Sequence, residues 1–179
     1  TAFTKEKPKE GTEQAAEAKL ERLRKKQPLT ALSLYGADGK LNPPVLFVDG
    51  YNVIGYWPKL KKYFQAGDLD TARERLLGEL GQYLHYKGIK IICVFDAAGG
   101  AAQATQHDSL SYGVEVVYEA VETADTYIEG HVHQTLSEPN APMVIVATND
   151  LETIRVAEGQ GAQVCTSKLL IQEMKKAKK

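Results

Sequence analysis

Short apolar runs alternate along this chain with longer stretches whose apolar residues recur at helical spacing. The runs Val45–Val48, Ile89–Phe95, Val114–Tyr118, Met143–Ala147 and Gln163–Cys165 have strand length and strand composition. Between them, Leu69–Tyr86 puts Ala72, Leu76, Leu80 and Leu84 on one helical face, with Asp68 or Asp70 as cap and Gly88 as stop. Thr123–Leu136 does the same with Ala124, Ile128 and Val132. Leu151–Glu158 reads as a shorter helix, Gly159 to Gly161 turn the chain, and Ser167 can cap a terminal helix running into Lys175–Lys179. Strands alternating with helices predict an α/β fold, its sheet mostly parallel and covered by helices on both faces. Ligands of such sheets bind beyond the carboxyl ends of the strands, where strand order reverses.

Composition narrows this picture. A chain of 179 residues holds one domain and an arm, and 43% hydrophobic residues exclude a wholly disordered protein. No apolar run approaches the ~18 residues of a membrane span. Residues 1–28 are rich in Lys, Glu and Ala, with Leu20 and Leu23 as their only large aliphatics, the pattern of a solvated helix or a disordered arm. Turn-rich Gly36–Pro44 closes this stretch, so residues 1–43 read as arm and linker, 44–175 as the domain and 176–179 as a basic tail. Cys93 and Cys165 sit inside apolar runs and read as reduced core thiols. The arm's five acids are unlike a transit peptide. The reduced cysteines point to the cytoplasm, or to a chloroplast stroma or mitochondrial matrix if an upstream presequence has been removed.

The net charge of −1 hides an asymmetry: residues 1–28 carry +3, residues 168–179 carry +4, and the body between them −8. An acidic body with basic ends is ordinary solvation, or a cation-loaded pocket flanked by arms that attract phosphate.

Three strands end in aspartate: Val48-Asp49, Phe95-Asp96 and, just past the strand, Thr148-Asn149-Asp150. One such residue is as readily a turn former or helix cap. Three together at the ligand-binding edge of a parallel sheet suggest a shared task. Glu122, Asp125 and Glu129 are spaced to share one helical stripe, with Glu122 and Asp125 in the first turn and Glu129 one turn further, toward solvent. Carboxylates converging without thiolates or paired histidines select a hard ion, Mg²⁺ or Mn²⁺. His131 and His133, two apart on a helix, point in different directions and read as surface residues. Such a cluster suits phosphoryl transfer to an activated water, with no side-chain nucleophile required. Walker, Gly-x-Gly-x-x-Gly and Gly-x-Ser-x-Gly signatures are missing, and Tyr51 stands where an aspartyl-phosphate enzyme would have its second Asp.

The segment Phe47-Val48-Asp49-Gly50-Tyr51-Asn52-Val53-Ile54-Gly55-Tyr56-Trp57-Pro58 resembles the opening motif of YacP-like NYN domains, a branch of the PIN-like nuclease superfamily. Val94-Phe95-Asp96-Ala97, Glu122-Thr123-Ala124-Asp125-Thr126-Tyr127-Ile128-Glu129 and Val146-Ala147-Thr148-Asn149-Asp150 match in order, and the likeness spans about residues 44–175. It implies a PIN-like three-layer α/β/α fold with strand order 3-2-1-4-5, so that Asp49 and Asp150 straddle the switch point. It further implies a metal-dependent endoribonuclease that hydrolyses single-stranded RNA. Bacterial members include one that cuts mRNA in the ribosomal A site, which makes mRNA and the ribosome the expected partners. The metal ligands implied are Asp49, Asp96, Asp125 and Asp150, assisted by Glu122, with Asn52 orienting Asp49 or a water; a simple Asx turn is the alternative for Asn52. Asn149 replaces a common Ser but can still hydrogen-bond, and Gly99–Gln106 lacks the basic and aromatic residues of relatives.

RNA contacts are expected from Trp57 as a stacking platform, from Lys59, Lys61 and Lys62 behind it, and from Arg73 with Arg75. Trp57 is equally a core residue beside Pro58. The rival functional reading is a non-catalytic RNA- or ribosome-binding protein that keeps the fold; a DNA-directed nuclease is a third.

Overall fold

A strand whose side chains are all apolar needs cover on both faces. In β1 (Val45–Asp49), Leu46, Phe47 and Val48 are fully buried. The strand lies between β2 (Lys90–Asp96) and β5 (Val144–Ala147), parallel to both. β4 (Val114–Glu119) extends the sheet beyond β2 and β6 (Gln163–Cys165) beyond β5, again in parallel. The five expected strands thus stand as β4-β2-β1-β5-β6, which is the order 3-2-1-4-5 when only they are counted. The full order is β3-β4-β2-β1-β5-β6, because a sixth strand, β3 (Gln106–Ser111), lies antiparallel on the outer edge of β4. The polar segment Gln106-His107-Asp108-Ser109 carries no apolar alternation to announce it. Its hairpin turns through Tyr112 and Gly113, both with positive φ (55° and 86°), the geometry that tight two-residue hairpins require.

The computed structural model describes residues 13–23, 28–96 and 106–178, and only the backbone of 106–108. Most of the divergent 99–106 segment therefore lies outside the described residues.

Helices cover both faces. On one, α2 (Gly50–Gly55), α3 (Pro58–Gln65), α4 (Leu69–Lys87) and α7 (Ser167–Ala177) bring Ile54, Leu60, Leu80 and Leu170 onto Val48 and Phe95. On the other, α5 (Ala124–Leu136) and α6 (Leu151–Gly159) bring Ile128, Val132 and Ile154 onto Phe47, Val94 and Val146. A helix over residues 13–23 (α1) adds Leu23 to this second cluster and pairs Lys19 with Glu158 at 3.0 Å. Among the described residues, no helix is long and apolar enough to cross a membrane.

The ends of the helices follow local chemistry. Asp68 caps α4 and Gly88 closes it at φ 68°. Thr123 caps α5. Ser167, the expected cap of the last helix, gives that role to Thr166, which accepts from the Leu169 N–H at 3.2 Å. The short helices α2 and α3 were not legible as periodic segments. α3 starts from Pro58 at its first position, where the missing N–H costs nothing.

Candidate active site

The chain runs outward from β1 to β2 and β4, then returns to β5 and β6 on the other side of β1. Strand order therefore reverses between β1 and β5, and the aspartates gather beyond the carboxyl ends of these strands. Asp49 is the last residue of β1, and its Oδ1 accepts the Asn52 N–H at 3.4 Å, capping α2. Glycine follows it for a steric reason: a Cβ on Gly50 would lie 2.3 Å from a ring carbon of Phe95. Asp96 ends β2, and its Oδ2 accepts the Ala124 N–H at 2.9 Å, which moors the first turn of α5 and with it Asp125. Asp150 caps α6, its Oδ2 accepting the Thr153 N–H at 2.9 Å and the Thr153 hydroxyl at 2.7 Å. The capping role and the site role thus fall on the same carboxylates.

Their convergence is read electrostatically at Asp49. Burial pushes its carboxyl from 3.8 up to about 7. The Asn52 N–H opposes that rise, while the charges of Asp96, Asp125 and Asp150 reinforce it. Glu129, expected to face solvent, is half-buried, and its carboxyl is raised by burial and then by Asp125 and Glu152. It therefore belongs to the acidic rim between α5 and α6. Its place one turn after Asp125 was the available signal.

Other expected positions are corrected. Glu122 precedes the Thr123 cap, so it lies outside the first turn of α5; it is exposed, and its N–H donates to Glu119 Oε2 at 3.2 Å. The Asn52 side chain points at neighbouring loops. Its Oδ1 accepts the Asn149 N–H at 3.0 Å and the Ser167 hydroxyl at 2.7 Å. Asn149 Oδ1 in turn accepts the Ser167 N–H at 2.8 Å. The segments after β1, β5 and β6 are tied together by these three bonds, while the Asn52 backbone N–H donates to Asp49.

Trp57 is 2% exposed and buried against the α2–α4 core, which closes its ring to a stacking base. Lys59 pairs with Glu79 at 3.5 Å; Lys61 and Lys62 are exposed on α3, with Lys62 5.1 Å from the Tyr63 ring. Arg73 is better placed: its Nη1 donates to the Tyr51 hydroxyl at 3.1 Å, and Tyr51 packs 5.1 Å from Phe95, the neighbour of Asp96. His131 stacks on Tyr127 with ring centroids 3.8 Å apart, while His133 is exposed.

The donor set fits a hard divalent cation by its chemistry: oxygen ligands alone, one of them buried and repelled by its neighbours. The fit does not extend to a preformed cage. Among the described residues no three His, Cys, Asp or Glu side chains are gathered closely enough to hold one ion. The aspartates are close enough to act on Asp49, and holding one ion together would draw Asp49 and Asp150 away from their cap hydrogen bonds.

The aspartate-ringed switch point lies within a domain of NYN type, a nuclease-like class related to nucleic acids. The description "YacP-like NYN domain" matches residues 46–179, and the chain belongs to that family. It is 35% identical over 131 residues to YacP of Bacillus subtilis (strain 168), covering 73% of this chain and 74% of that one. The crystal structure of Rae1 (YacP) from Bacillus subtilis superposes with a TM-score of 0.64 at 34% identity, over 75% of each chain. That of a Trp-to-Leu mutant of the same protein gives 0.63 at 32%, over 75% of this chain and 77% of that one.

Proposed function

We propose that this protein is a metal-dependent endoribonuclease that hydrolyses single-stranded RNA, with mRNA on the ribosome as its substrate setting. The observation that carries this reading is the convergence of Asp49, Asp96, Asp125 and Asp150 at the switch point, where the Asp49 carboxyl is pushed to about 7. Acids kept together at such a cost serve a positively charged ligand better than they serve the fold. Asp49, Asp96, Asp125 and Asp150 would hold Mg²⁺ or Mn²⁺, which supplies charge neutralisation at the phosphate and lowers the pKa of the attacking water. Asn52, through Asn149 and Ser167, keeps the strand-end loops in one arrangement. Arg73, Lys61 and Lys62 supply phosphate contacts that carry no sequence information. Hydrolysis of this kind leaves a 5′-phosphate and a 3′-hydroxyl.

A binding-only protein is the second reading, favoured by the open spread of the carboxylates. The two separate when 5′-labelled single-stranded RNA is incubated with Mn²⁺, Mg²⁺ or EDTA, beside the Asp125→Asn variant. Ion-dependent cleavage that falls by about a thousandfold in a folded Asp125→Asn protein is the expected result. Silence on free RNA and also on translating ribosomes would leave the binding-only reading in its place.

A further inference from the structure

Arg73 sits in a wall built to hold it. Its side chain is 12% exposed and is held on three sides. Nη1 donates to the Tyr51 hydroxyl at 3.1 Å, the Tyr118 ring lies 6.0 Å from the guanidinium carbon, and Nη2 donates to Asp70 Oδ1. Tyr118 stacks on Phe95 at 5.8 Å and Tyr51 packs on the same ring at 5.1 Å. The cage is thereby anchored on the residue before Asp96, and the charge of Asp96 reaches Tyr51.

The third partner differs from the other two. Asp70 is 93% exposed, so a preorganised cation in the wall meets an anion standing in solvent. An ordinary pair at this helical spacing contributes little and has both partners free to move. Here the guanidinium has already lost its rotamer freedom, and its planar fork suits a phosphate as well as a carboxylate. The Tyr51 hydroxyl accepts from Arg73 and still carries a hydrogen of its own to donate.

We propose that Arg73 and Tyr51 form a subsite for a backbone phosphate of the RNA next to the one being cut, and that Asp70 occupies this subsite in the free protein. The subsite rests on the endoribonuclease reading above. Acids on the α5–α6 side of the strand ends and this cation on the α2–α4 side give a strand of RNA a path across the edge of the sheet. Asp70 then acts as an intramolecular competitor, displaced when RNA binds.

The test is binding of a fluorescein-labelled single-stranded RNA, read by anisotropy in EDTA over a range of salt. Wild type, Asp70→Asn, Arg73→Gln and the double variant are compared, with thermal melting of each. Asp70→Asn should bind about threefold more tightly, the size of an exposed ion pair removed. Arg73→Gln should bind about tenfold more weakly, and the slope of log affinity on log salt should shrink by about 0.7, one phosphate's share for a single strand. The double variant should match Arg73→Gln alone, because Asp70 acts only through Arg73. Wild-type binding with no gain in Asp70→Asn, or with additive effects in the double variant, overturns the subsite alone. Wild type that binds no free RNA overturns the subsite, while the endoribonuclease reading stands or falls separately on cleavage with free RNA and with translating ribosomes.

Discussion

The two sides of the sheet's carboxyl edge treat charge in opposite ways. Toward α5 and α6, the charges that act most on Asp49 are three other aspartates, and its carboxyl is held near 7. Glu129 adds to the same rim, while Arg155 is engaged with Glu152 at 2.5 Å. Toward α2 and α4, Arg73 has a phenol, a ring face and a carboxylate, and Lys59 has Glu79. Arg73 and Lys59 already have partners of opposite charge, whereas the aspartates act on one another with like charge. Setting like charges beside the buried Asp49 carboxyl costs free energy. The acidic side is therefore where a ligand has most to offer, and the cationic side must first exchange a partner.

The largest expected effect tests the cost on the acidic side. Asp49 binds its proton more tightly in the folded chain than at its ordinary value of 3.8, so its stabilising contribution is complete below about pH 4 and is lost as pH rises through about 7. In EDTA at pH 8, Asp49→Asn removes this penalty and should stabilise the fold by on the order of 2–4 kcal/mol. The gain should vanish near pH 4, and Mn²⁺ should stabilise wild type but not the variant. Urea melts at both pH values measure it; equal stability of the two proteins at pH 8 would remove the electrostatic contrast between the sides.

A smaller effect is expected where the two sides are joined. Asn52→Ala deletes the acceptor shared by the Asn149 N–H and the Ser167 hydroxyl, and should cost about 1–3 kcal/mol in melting. Cleavage should fall with it, since the loops carrying Asp49 and Asp150 lose their tie. Full activity would mean that the loops hold their arrangement without that bond. The smallest effect sharpens the boundary of the acidic rim. Glu129→Gln should lower RNA cleavage several-fold and raise the Mn²⁺ concentration needed, whereas exposed Glu122→Gln should stay within about twofold of wild type, as ordinary surface changes do. The reverse ranking would return Glu122 to the site.

Much of this arrangement is legible in the chain itself. Strands β1 and β5 announce themselves because a strand buried on both faces must be an unbroken apolar run, and Leu46-Phe47-Val48 is one. The edge strand β3 is different: polar, paired on one side only, and specified by its partner and by the Tyr112-Gly113 turn. Trp57 shows the same limit, since an aromatic before a proline is compatible with a core or a surface, and only packing against α2–α4 chose the core. Helical spacing brought out Glu129 along with Asp125, but the packing of α6 against α5 decided that it faces acids rather than solvent.

The chain itself shows that β1 and β2 end in carboxylates, since Asp49 and Asp96 directly follow their apolar runs. It determined that Asp150 caps a helix, because a cap depends on residues three apart. No spacing along the chain puts β5 beside β1; the family resemblance implied it, and the sheet register shows it, bringing Asp150 to Asp49 across about a hundred residues of chain. Only the structure, too, set the Asp49 carboxyl near neutrality, because burial and the Coulomb energy of neighbours are properties of distance in space, which no spacing along the chain specifies.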